Sequence, residues 1–82
     1  MLPPMDDPRL TKERISNARV IAKGHRIRDV ERLVRVYGGR AGSWRKLSTS
    51  PFLASPGRWT ELHWYEHHRI GRFEIKEVAV RI

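Results

Sequence analysis

The chain contains no cysteine, which excludes disulfide bonds, thiolate metal sites and a cysteine nucleophile. No apolar run approaches the roughly 18 residues of a membrane-spanning helix. The opening Met1-Leu2-Pro3-Pro4-Met5 lacks the basic-then-apolar layout of a signal peptide. Acidic side chains are few: 9 Asp and Glu stand against 17 Lys and Arg, a net charge of +8. The 82 residues suffice for one small domain with a thin core. A domain this basic seeks a polyanion, nucleic acid before an acidic protein or anionic lipid. Thirteen of the 17 cations are arginine, whose planar fork can bind two phosphate oxygens at once.

Three of the five prolines lie in residues 1–9, which read as an extended, mobile lead-in to a single domain over 10–82. Thr11 suits the N-cap of a helix from Lys12 to about Ala22, with Ile15, Ala18 and Ala22 as a weak apolar stripe ended by Gly24. A second helix is clearer. Ile27, Val30, Leu33, Val34 and Tyr37 recur at three- and four-residue steps, with Arg28, Glu31, Arg32 and Arg35 opposite. Gly38-Gly39 stops it. Beyond Gly42 the period changes to two. Strand-like runs cover Trp44 to Thr49, Arg58 to Glu66, and Arg72 to Ile82, with a Pro/Gly/Ser connector over 50–57. A fourth strand would have to come from Pro51–Ala54 or from a split of the last run. The expected fold is α+β: one or two N-terminal helices packed on a small antiparallel sheet of three to four strands.

Strand pleating sends alternate side chains to opposite faces. Leu47, Leu62, Trp64, Phe73 and Ile75 are expected under the second helix. Lys46, Ser48, Glu61, His63, Tyr65, Glu74 and Lys76 then share the other face. That face collects the groups RNA cleavage requires: a base for the ribose 2′-hydroxyl, a cation for the phosphate, and an acid for the leaving oxygen. Histidine suits either proton-transfer role, and the lysines suit the phosphate. A solvated face would carry the same residues, with Glu61 and Glu74 in cross-strand ion pairs to Lys46 and Lys76.

Other groups are weaker signals. His63, His67 and His68 do not have helical metal-ligand spacing, and no metal or cofactor is expected. His25, beside Arg26 and Arg28 at the head of the second helix, could meet a phosphate or simply lie on the surface. Trp44 and Trp59 could stack on bases, or pack as core or rim.

The runs Glu61-Leu62-His63-Trp64-Tyr65-Glu66 and Ile70-Gly71-Arg72-Phe73-Glu74-Ile75-Lys76 follow Val30–Gly39 and Ser43-Trp44-Arg45-Lys46-Leu47-Ser48. Together this pattern resembles C-terminal modules of bacterial polymorphic and contact-dependent toxins. These are grouped with the barnase–EndoU–colicin–RelE-like (BECR) metal-independent ribonucleases. The resemblance covers residues 25–77. It implies a helical N-terminal part, a curved sheet of about four strands whose open face cuts RNA, often tRNA, and an acidic immunity protein that covers the face. It implies action in the cytoplasm of a target or producing bacterial cell, with delivery inside a larger secreted toxin. Lys46, Ser48, His63, Tyr65 and Lys76 fall where such a site is built, with His25 as a further catalytic candidate. Catalytic residues vary widely in that group, so individual roles do not carry over. Arg45, Arg58, Arg72 and Trp44 are candidates for holding substrate. The expectation is a ribonuclease forming a 2′,3′-cyclic phosphate. The alternative is a non-catalytic nucleic-acid-binding or protein-interaction module of a phage or mobile element.

Overall fold

The computed structural model describes residues 7–54 and 57–81. Most of the lead-in expected over 1–9 therefore lies outside the described residues, as does Ile82. Helix α1 spans Lys12–Ser16, strand β1 Arg19–Lys23 and helix α2 Val30–Tyr37. Strands β2 (Trp44–Ser48), β3 (Phe52–Ala54), β4 (Arg58–His67) and β5 (Gly71–Ala79) follow. This is a small α+β fold with a five-stranded antiparallel sheet and one main helix. Strand β4 is its spine: β2 pairs with its second half, β3 with its first half, β5 runs along its other edge, and β1 extends the sheet beyond β2.

The first helix is shorter than its spacing predicts. Thr11 caps it as expected, accepting from the Arg14 N–H at 3.2 Å. The chain then leaves the helix, and the segment expected to complete it pairs with β2 instead. Five residues make a marginal helix, whereas β-branched Val20 and Ile21 fit a strand that satisfies the β2 edge. The strand count exceeds the expected three to four for this reason and because Phe52–Ala54 pairs with β4 inside the connector.

Helix α2 begins at Val30, after a 3₁₀ turn at Gly24–Arg26 that carries His25. It ends at Gly38 and Gly39, with φ of 94° and 80°. Gly39 is required for a second reason: a Cβ there would stand 2.5 Å from the His67 ring.

The helices lie on opposite faces of the sheet. Helix α2 buries Val30 and Leu33, with Ile27 from the segment before it, against Trp44 and Phe73. Leu47, Leu62 and Trp64 face the other way, packed with Leu10, Ala18, Phe52 and Ile75. The expected single core under α2 is thus divided in two. Helix α2 covers the face of Trp44 rather than that of Leu47, Leu62 and Trp64, and a bulge in β5 sends Phe73 to that face and Ile75 to the other. Tyr65 pairs with Phe73 and His63 with Lys76, so two β5 residues, Glu74 and Ile75, oppose Trp64. The extra residue shifts the alternation by one. Phe73 joins the face of Tyr65, and Ile75 joins that of Trp64. Glu74 absorbs the distortion at φ 59°.

Candidate functional site

Cross-strand register brings the sequence-predicted groups together. Ser48 is opposite His63 in β2 and β4, and Lys46 is opposite Tyr65. Lys76 is opposite His63 in β5. With side chains alternating along each strand, these five share one face. Helix α2 covers the end of that face, where Tyr37 stacks on Phe73 at 4.1 Å between ring centroids. The helix edge and the uncovered strands bound a groove of about 400 Å³, lined chiefly by Arg32, Lys46, His63, Tyr65, Glu74 and Lys76. That volume lies within the usual range for ligand sites.

Two carboxylates organise the groove, and neither pairs with a lysine. Glu61 Oε1 lies 3.0 Å from His63 Nε2 and accepts from the Ser48 hydroxyl at 3.2 Å. Arg19 is 3.9 Å from the other oxygen of Glu61. The His63 hydrogen bond, reinforced by that of Ser48 and opposed by burial, holds the Glu61 carboxyl below the ordinary glutamate range. Glu74, raised on the bulge, accepts two hydrogen bonds from the Arg32 guanidinium at 2.7 and 2.8 Å, and a third from the Tyr37 hydroxyl at 2.8 Å. Arg32 is the main cause of the lowered Glu74 pKa. The same contact raises the Arg32 pKa, and burial, followed by Glu74, raises that of Tyr37.

The ion pairs expected of a solvated face, Glu61 and Glu74 to Lys46 and Lys76, are therefore not the ones made. Among the described residues neither lysine has a carboxylate partner within salt-bridge distance. Lys46 Nζ instead sits 5.8 Å from the centroid of the Tyr65 ring. The chain has four lysines, and two of them flank the imidazole. The groove thus combines two ammonium groups, a carboxylate-tethered imidazole and a phenol. Such a set can bind a phosphodiester, stabilise added charge on it and move a proton.

The remaining sequence candidates do not line the groove. Ser48 is buried and donates to the Thr49 carbonyl as well as to Glu61, so it anchors Glu61. His25 is exposed and lines a separate depression that shares Arg32 with the groove. Trp44, a candidate base-stacking residue, is sealed in the core, and its indole N–H donates to the Gly38 carbonyl at 3.0 Å. Arg45 and Arg72 point from the opposite face, where both clamp Glu66 at 2.6 and 2.8 Å. Arg58 shares that opposite alternation, at the outer end of β4. Alternation alone carried this signal, since Arg45 is in phase with Leu47, and Arg58 with Leu62. Arg32 was read only as part of a basic helix face; its role as a groove wall depends on which sheet face α2 covers. Among the described residues, no three His, Asp or Glu side chains converge as metal ligands.

No protein-family model, curated protein or solved structure matches this chain.

Proposed function

We propose that the protein is an RNA endonuclease that cleaves by attack of the ribose 2′-hydroxyl on the adjacent phosphodiester. The observation that carries this reading is the placement of two lysines, neither in a salt bridge among the described residues, on either side of an imidazole tethered to Glu61. With Nε2–H donated to Glu61, the other ring nitrogen is left to accept a proton. It takes the 2′-hydroxyl proton as the 2′-oxygen bonds to phosphorus. Lys46 and Lys76 stabilise the charge on the pentavalent phosphate. The bond to the 5′-oxygen breaks, and the Tyr65 phenol or a lysine ammonium supplies the proton it needs. The products are a 2′,3′-cyclic phosphate and a 5′-hydroxyl.

The resemblance to toxin ribonucleases supports this reading and suggests the context: a bacterial toxin effector acting on tRNA-type substrates in the cytoplasm, countered by an acidic immunity protein. No helix among the described residues is long and apolar enough to cross a membrane. The test is incubation of the purified protein with total tRNA in EDTA, followed by end-group analysis. Cleavage with cyclic phosphate ends, lost in His63→Ala, supports the proposal. RNA bound with steep salt dependence but left intact would favour the non-catalytic binding module.

A further inference from the structure

The groove face continues past His63 toward the start of β4, where Trp59 stands on the same alternation. It is four residues from His63, about 13 Å at the ordinary strand rise. Trp59 is 43% exposed, whereas Trp44 and Trp64 are 0% and 1% exposed. Its cross-strand partner Leu53 is also exposed. The pair forms an apolar shelf on a protein of net charge +8. Between shelf and imidazole lies Glu61, which is hydrogen-bonded to His63 and has the exposed Arg19 3.9 Å from its other oxygen. An indole left in water on so basic a protein is suited to stacking on a nucleobase, whose backbone the net positive charge attracts.

We propose that Trp59 is a stacking subsite for an unpaired base of single-stranded RNA, on the same strand as His63 and two pleats away from it. The choice of RNA rests on the function proposed above; stacking on Trp59 does not itself require cleavage. An extended dinucleotide spans the gap, so the stacked base belongs to a nucleotide flanking the reacting phosphate. Bases within a duplex offer no free face, so the subsite selects unpaired RNA.

The test uses intrinsic fluorescence of the whole protein titrated with a 2′-O-methyl oligoribonucleotide, which lacks the nucleophile. The other two indoles are buried, so quenching reports on Trp59. Expected results are quenching by the single strand, weak quenching by the same strand annealed to its complement, and affinity, read from the anisotropy of an end-labelled strand, lowered about tenfold or more in Trp59→Ala. Trp59→Phe should recover most of the affinity. Binding without quenching, or equal affinity in Trp59→Ala, overturns the subsite. If Trp59→Ala fails to fold, the wild-type titration and Trp59→Phe still decide. Quenching by a protein that never cuts RNA would retain the subsite and remove the nuclease reading. Cutting with unchanged affinity in Trp59→Ala would do the reverse.

Discussion

On the nuclease reading proposed above, Glu61 sets the behaviour of His63. It holds one ring nitrogen and is itself held by Ser48, so it acts as a positioning residue. Glu61→Gln keeps the size but loses a charge-assisted hydrogen bond worth about 1.5–3 kcal/mol. The expected outcome is a fall in kcat of about tenfold to a hundredfold with little change in KM, and a shifted pH–rate profile. A purely structural role would instead lower the folded fraction and leave that profile in place. At the core, Trp44 is fully buried and hydrogen-bonded. Trp44→Ala should cost about 3–5 kcal/mol in denaturant titration, enough to unfold much of a domain this small.

Among the elements, the β5 bulge and helix α2 depend on each other. Glu74 has a positive φ, a conformation that costs a side-chain-bearing residue about 1–2 kcal/mol. Three hydrogen bonds from Arg32 and Tyr37 hold it there. Glu74→Ala removes those bonds and keeps the strain, whereas Glu74→Gly removes both. Chemical denaturation should therefore find Glu74→Gly the more stable of the two by about 1 kcal/mol.

The bulge is also where alternation misled. Period two placed Lys46, His63 and Lys76 on one face correctly, because β2 and β4 pair in register and the extra β5 residue falls before Lys76. It misplaced Phe73 because that residue lies on the other side of the bulge. A glutamate at positive φ gives no local signal, unlike glycine or asparagine. The body of the second helix and its Gly38-Gly39 stop were legible from strong 3.6-residue periodicity, but its start was not, since Ile27 fits the period yet lies before Val30 and His25 sits in a separate 3₁₀ turn. The end of the first helix was not, since Ile15, Ala18 and Ala22 fit helical spacing while the β2 edge offered Val20 and Ile21 a better pairing. Which face α2 covers could not be read, because apolar residues line parts of both faces.

For the whole molecule, charge and titration give separate checks. Each lysine that neutralises a phosphate of a single strand contributes about 0.7 to the slope of log K against log salt. Replacing Lys46 and Lys76 together by Gln should lower that slope by about 1.4. An Arg45→Gln substitution on the opposite face should leave it unchanged. Acid should destabilise the fold in two stages. The lowered pKa values of Glu61 and Glu74 mean that their contribution is full above the ordinary value of 4.5 and disappears as pH falls through the folded values. His67 is buried against Trp44 and Gly39, and burial, followed by neighbouring His68 and Arg69, lowers its pKa from 6.5. Its neutral form favours the folded state, so stability declines as pH drops below 6.5 toward the folded value. Thermal melts from pH 8 to 5 should show this decline, and His67→Asn should flatten it.

The nuclease reading is tested most directly with paired oligonucleotides of one sequence, one of ribose and one fully 2′-O-methylated, each given to wild type and to His63→Ala. The account predicts that wild type binds both but cuts only the ribose strand, leaving cyclic phosphate ends, and that His63→Ala binds both and cuts neither. A ribose strand left intact by wild type, a methylated strand that is cut, or full activity in His63→Ala would contradict it.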